Sequence, residues 1–211
     1  MNRAAAVVPS FRPDGSELDL ANVQPSDIVW TEVANGLSKI ARFNGRYAEP
    51  AYPVTQHSVM GADALYQETG DPVLSGYFVL HDVHEHLFGD VTSPTERLID
   101  HYVALARPSA AGLVRAAIGA AKAHIDLAVW RAAGLQPIMA IPSYAAKVAE
   151  MDRRMLRAEA IALFGPKAGD ALPFSEPPRL TGAIRPWGPV KAEIAFLDRL
   201  QRYLGIVARV S

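Results

Sequence analysis

Cysteine is absent from the 211 residues, and neither sign of charge dominates. Without cysteine there is no disulfide scaffold, no Cys-type zinc site and no thiol nucleophile. Lys and Arg total 21 against 22 Asp and Glu, a formal net charge of −1. That balance excludes a broad basic footprint for nucleic acid and an acidic disordered tail, while leaving room for a local basic pocket. Long apolar runs are missing as well. The stretch from Ala4 to Val8 is too short for a signal-peptide core, and Pro9 ends it. The segment from Ala110 to Trp130 is broken by Arg115, Lys122, His124 and Asp126, so no membrane span is expected. What is present is an ordinary globular balance, 50% hydrophobic and 20% charged, in a chain long enough for one domain with a full core. The expectation is a soluble, cytoplasmic, single-domain protein, since a cysteine-free chain suits a reducing compartment.

The pattern along the chain is helical. Residues 1–25 mix Pro, Gly, Asp and Ser and read as an irregular N-terminal arm, with a turn at Pro13-Asp14-Gly15 and at most a short strand or hairpin near Glu17 to Val23. Ser26-Asp27 is a helix-start signal before Ile28 to Ile40. Arg42 to Pro53 is loop-like, with the turn dipeptide Asn44-Gly45. Further helices are expected from Pro53 to Gln67, from Val73 to Phe88 with Gly89 as its cap, from Pro94 to Ala106, from Ala110 to Ala133 and from Ser143 to Phe164. Prolines 173, 177, 178, 186 and 189 punctuate an arm over residues 166–189, held to the body by Phe174 and Trp187, before a last helix at 190–208. No internal repeat and no series of strands is visible. The fold class is therefore all-α: six to seven helices in one domain spanning 26–211, with its core at 26–165.

Four of the six histidines lie between positions 57 and 86, and the densest patch is Leu80 to Asp90, LHDVHEHLFGD. His81 and Asp82 are adjacent on the expected helix, about 100° apart around its axis, so both can lean on one metal at its edge. Glu85 shares their face at three and four residues' distance, and Asp90 follows the helix-ending Gly89. Two more polar residues stand on otherwise apolar stripes: His57 among Val54, Gly61 and Leu65, and Asp152 between Val148 and Met155. A core-facing imidazole and carboxylate are costly unless paired or ligating. The economical account is that His57, His81, Asp82 and Asp152 converge on a divalent metal ion, for which this nitrogen/oxygen set is suited. The plain alternative is a satisfied core histidine and an aspartate paired with Arg153, Arg154 or Arg157. No HExxH pattern is present. His84 and His86 read as flank residues, and His101 and His124 as structural or surface residues.

The order His57, His81-Asp82, Asp152 on a helical chain resembles the HD-domain metal-dependent phosphohydrolases. Arg42-Phe43, Gln56-His57-Ser58, and His81-Asp82 with Glu85 and then Gly89-Asp90 are similar to the 5′-deoxynucleotidase branch and to uncharacterised bacterial and phage HD hydrolases near it. The similarity runs from about Glu17 to Phe164. It implies that His57, His81, Asp82 and Asp152 are the metal ligands and that Arg42 binds substrate phosphate. It further implies that Glu85 activates the attacking water and that Asp90 lies near the scissile phosphate and sugar. Phe43 stands where such nucleotidases carry a Trp against the sugar, a departure that weakens the case for deoxyribose selection. Arg97 is the candidate for a further phosphate contact. Proteins of this kind are commonly homodimers, and an apolar stripe at Leu113, Ile118, Ile125 and Val129 could serve as core or as dimer face.

The resemblance implies one divalent cofactor (Mn, Co, Mg, Zn, Fe or Ni would all suit) and a small-molecule nucleotide or other phosphate ester as substrate; the charge balance and hydropathy lead to the expectation of no stable nucleic-acid partner and no membrane partner. The expected activity is removal of phosphate from (deoxy)nucleoside 5′-monophosphates. Hydrolysis of deoxynucleoside triphosphates or another nucleotide is the nearest alternative. A non-catalytic nucleotide-sensing module comes from a different class. Tyr47 and Tyr52, with Phe43, either stack on a base or pack the loop to the core.

Overall fold

The computed structural model describes residues 6–208; residues 1–5 of the expected N-terminal arm and 209–211 of the expected domain lie outside the described residues. Prolines open most of the helices, as their fixed φ and missing N–H favour at the first turn. In chain order the α-helices are α1 (Trp30–Leu37), α2 (Val54–Thr69), α3 (Pro72–Leu80), α4 (Glu85–Phe88), α5 (Ser93–Ala106), α6 (Leu113–Ala132), α7 (Pro142–Phe164), α8 (Pro166–Asp170) and α9 (Pro189–Leu204). Seven of these have eight residues or more. An antiparallel hairpin precedes them, β1 (Pro9–Phe11) paired with β2 (Glu17–Asp19) in the register Ser10 to Leu18. The fold is thus mostly all-α with a small N-terminal hairpin, and residues 9–19 of the arm are ordered by it. No helix among the described residues is long and apolar enough to cross a membrane.

α2 is the axis of the core. Every residue from Val54 to Leu65 is buried, so the helix is enclosed on all sides rather than amphipathic. α3 and α9 pack against it, α9 also covers α1 and α3, and α7 closes the remaining side of α2 and α3. The polar residues that α2 buries have defined partners. Asp63 accepts from Arg199 at 2.6 and 3.0 Å and from the Tyr203 hydroxyl at 2.7 Å, which ties α2 to α9. Gln56 donates to the Arg185 carbonyl and accepts from the Trp187 N–H, both at 2.8 Å. Gly61 lets α3 approach closely, since a Cβ there would lie 2.2 Å from the Phe78 ring.

α3 starts at Pro72 with the Asp71 carboxylate accepting from the Leu74 N–H at 3.0 Å. The single helix expected over Val73 to Phe88 is in fact two. After Leu80 the chain tightens: Val83, Glu85, His86 and Leu87 each donate to the carbonyl three residues earlier. In such tightened turns residues i and i+3 eclipse, which brings Glu85 over Asp82. No Gly or Pro marks this break.

Three other expectations are corrected. The first helix is confined to Trp30–Leu37, because Pro25–Asp27 forms a 3₁₀ turn closed by Asp27 on the Gln24 N–H at 2.8 Å. The arm over 166–189 begins with α8 and is held by Trp187, while Phe174 is 78% exposed with the Arg157 guanidinium over its ring. The last helix spans Pro189–Leu204, since Gly205 adopts a left-handed φ of 68°. α5 and the first half of α6 stand apart: α5 buries no residue, and α6 buries only Ile125, Ala128, Val129 and Trp130.

Candidate metal centre

His57 is wholly buried on α2, and its Nδ1 donates to Glu159 Oε1 of α7 at 2.7 Å. His81 ends α3, and its Nδ1 donates to the Phe78 carbonyl at 2.6 Å. Each ring therefore turns its Nε2 toward the other, with the two atoms 3.2 Å apart. If both carry a lone pair there, the two repel unless something positive lies between them. The Phe78 ring packs against both imidazoles, with centroids 5.6 Å from His57 and 4.3 Å from His81, so neither can swing away.

Two carboxylates complete the set. Asp152 Oδ1 of α7 lies 3.3 Å from His57 Nε2 and 3.8 Å from His81 Nε2. Asp82 Oδ2 lies 3.7 and 3.2 Å from the same atoms. Ligands about 2.1 Å from a shared ion are themselves roughly 3.0–3.5 Å apart in octahedral or tetrahedral geometry. His57, His81 and Asp152 lie close enough together to hold a metal ion, and Asp82 Oδ2 lies beside both imidazoles. Glu159 behind His57 and the carbonyl behind His81 are the hydrogen-bond acceptors that fix a ligating imidazole's tautomer.

The electrostatics agree with a cation-binding cluster. Burial would lower His81, but Asp82 and Asp152 outweigh it and hold the ring well above its usual range. Burial would raise Asp152, but the bonds from His57 and His81 hold it well below the ordinary carboxylate value, and Asp82 is lowered in the same way by His81. Glu159 is also lowered against its burial, by Arg42 and His57.

Arg42 sits beside this cluster. Its Nε donates to Glu159 Oε2 at 3.0 Å and its Nη1 to Asp82 Oδ2 at 3.4 Å, leaving Nη2 without a protein partner among the described residues. The loop that presents it is held by the Arg42 N–H on the Tyr52 carbonyl and by pairing of Ala41 with Pro53. Phe43 and Asn44 both take left-handed φ values, 55° and 53°. Asn tolerates that conformation, but a bulky aromatic does so at a cost, met here by the anchoring on either side. The Phe43 ring packs edge-on against Phe164 at 5.4 Å, as does Tyr47 at 5.7 Å. Tyr52 is fully buried and donates to Glu159 Oε1 at 3.0 Å, so its role is packing and orientation rather than stacking on a ligand.

Glu85 is 5% exposed at the edge of the cluster, and its carboxyl is pushed up to about 9 by burial and then by Asp82 and Asp90. A cation set against Asp82 would draw that value back down. Asp90, just past Gly89, is raised by burial but lies within the field of Arg42 and Asp82. Arg97 is exposed on α5 and makes no ion pair or hydrogen bond among the described residues. The cation on that side is Lys122 of α6, 3.6 Å from Glu96 and close enough to act on both Glu85 and Asp90.

The sequence reading missed three residues. Glu159 extends the Asp152–Met155 stripe by one more turn, which was the available signal. Asp126 accepts from His84 Nδ1 at 3.0 Å, and His84 is 6% exposed rather than on a solvated flank. Lys122 carried no signal.

No family model matches the chain. It is 30% identical over 197 residues to an uncharacterized protein of Rhodobacter capsulatus, covering 88% of this chain and 90% of that one. The chain belongs to the family of that protein.

Proposed function

We propose that the protein is a metal-dependent phosphohydrolase of the HD-domain superfamily, acting on (deoxy)nucleoside 5′-monophosphates in the cytoplasm. The observation that carries this reading is the pair of imidazole Nε2 atoms 3.2 Å apart, flanked by Asp82 and Asp152 and overlooked by an arginine with a free Nη2. The order and spacing of these residues resemble the HD hydrolases, which supports the superfamily assignment.

A divalent ion held by His57, His81, Asp82 and Asp152 would supply Lewis acidity and a nucleophilic water at neutral pH. The chain's own residues do the rest. Glu159 keeps His57 in the ligating tautomer and Arg42 extended toward the site. Arg42 offers its remaining donors to two phosphate oxygens and answers the charge that grows on them. Glu85 takes the proton of the attacking water as its oxygen bonds to phosphorus. The ester P–O bond breaks, the leaving alkoxide takes up the proton that Glu85 received from the water, and orthophosphate and a nucleoside result. Asp90 lies on the sugar side. Phosphoryl transfer asks mainly for positioning and charge stabilisation, which such a set provides.

Phosphate release tests this. Protein stripped of metal is resupplied with Mn²⁺, Co²⁺, Mg²⁺ or Zn²⁺ and offered ribo- and deoxynucleoside mono-, di- and triphosphates. Metal-dependent orthophosphate from monophosphates is the expected result, with the deoxy-to-ribo ratio reporting on Phe43. Triphosphate release would move the substrate class. No turnover by metal-loaded protein would overturn the enzymatic reading in favour of a nucleotide sensor.

A further inference from the structure

We propose that a second divalent cation binds beside the first, at Asp82, His84 and Glu85, with Asp126 as the group that orients His84. The three side chains each bring one ligand atom within 4.8 Å of the others. His84 and Glu85 are both more than nine-tenths buried. His84 Nε2 and Glu85 Oε2 have no hydrogen-bond partner, although both atoms are sealed from solvent.

The missing partner has a definite chemical character. His84 Nδ1 faces the Asp126 carboxylate at 3.0 Å, so that nitrogen carries the hydrogen and Nε2 presents a lone pair. Asp82 Oδ2 accepts only the long bond from Arg42 Nη1 at 3.4 Å, and Glu85 Oε2 has no partner among the described residues. Two unpartnered buried atoms therefore meet beside a carboxylate, an arrangement that a divalent cation would satisfy. Of the two fixed positive charges that act on Glu85, Arg42 is engaged with Glu159 and Asp82, and Lys122 is turned to Glu96. The chain Asp126, His84, lone pair also repeats the chain Glu159, His57, lone pair at the first group, which is the carboxylate–histidine arrangement used to orient metal ligands.

The tightened turn after Leu80 explains how both groups arise from one segment. It eclipses Asp82 with Glu85 while His81 points to α2 and His84 to α6. Asp82 also lies 3.2 Å from His81 Nε2 of the first group, so it would stand between the two ions. This inference rests on the reading of the His57 group as a metal centre and deepens it: Glu85 binds a cation through one oxygen and takes the proton through the other.

The test is metal stoichiometry on the full chain, with Mn²⁺ as the probe, by elemental analysis after dialysis and by electron paramagnetic resonance. Two ions per chain with a spin-coupled spectrum are expected for the unmodified protein. His84→Ala should bind one ion and give an uncoupled spectrum. Asp126→Asn, which removes no ligand, should keep one tight ion and weaken the second about 10–100-fold. A single ion in the unmodified protein overturns the proposal whatever the variants do. So does a His84→Ala protein that still binds two with the coupling intact. Two coupled ions without phosphate release would uphold this site while overturning the proposed activity.

Discussion

α2 and α5 are close in length, 16 and 14 residues, and opposite in setting. α2 is buried all round through its first twelve residues, yet five of them are polar: Thr55, Gln56, His57, Ser58 and Asp63. α5 buries nothing, yet it exposes Leu98, Ile99, Tyr102 and Leu105. An exposed leucine is common on protein surfaces; a fully buried histidine is not. The comparison teaches that chemistry is written where polarity is enclosed, because each enclosed polar atom demands a partner and so fixes geometry. Side chains on α5 carry no such demand.

The sharpest way to break this contrast is to remove the enclosed imidazole. His57→Ala should remove one of the two expected ions per chain and all phosphate release, read by elemental analysis and turnover; an unchanged metal content would place the first ion elsewhere. Glu159→Gln keeps the shape but weakens the hold on His57 and Arg42. It should cost about 10–100-fold in metal affinity by titration, and an unchanged affinity would make Glu159 a packing residue only. Gly61→Ala places a methyl against the Phe78 ring and should destabilise the fold by about 1–3 kcal/mol in chemical denaturation.

Two smaller effects sharpen the comparison from the periphery. Glu68, on the exposed end of α2, accepts from Arg154 at 2.7 Å on each oxygen and from the Arg179 N–H at 3.0 Å. Burial would raise its carboxyl, but these donors outweigh it and hold it below the usual value. Its stabilising effect is therefore complete above the unfolded-state value, about 4.3, and is lost as pH falls through the lower folded value. Denaturation across this acid range should show Glu68→Gln with a flatter loss of stability than the unmodified chain. Least of all, Leu98→Ser on α5 should change stability by no more than about 0.5 kcal/mol. A larger loss, or a change in molecular mass by light scattering, would show that α5 is covered by another chain.

Much of this was legible in the residues. His57 and Asp152 stood out because each interrupts an apolar stripe, and the prolines marked most helix starts. The Ala-rich stripe resolves by position: Ile125 and Val129 are core, while Leu113 is exposed. The break after Leu80 was not legible, because neither Gly nor Pro announces it; packing of His81 against α2 and His84 against α6 imposes it. Glu159 was hidden for another reason. Its meaning depends on His57 and Arg42, 102 and 117 residues away in sequence, and periodicity within one helix carries no information on such partners. Arg97 marks the converse: a charge of the right sign in the right interval, set on the exposed side of α5.

The clamp of Gln56 on Arg185 and Trp187, with α9 seated on α1, α2 and α3, also sets an order of events during synthesis. His57, His81, Asp82 and Asp152 all leave the ribosome before the segment that walls in α2. A nascent chain therefore carries all four side chains while lacking the enclosure that aims them, and on the proposed reading tight capture of a cation would wait for the docking of α9.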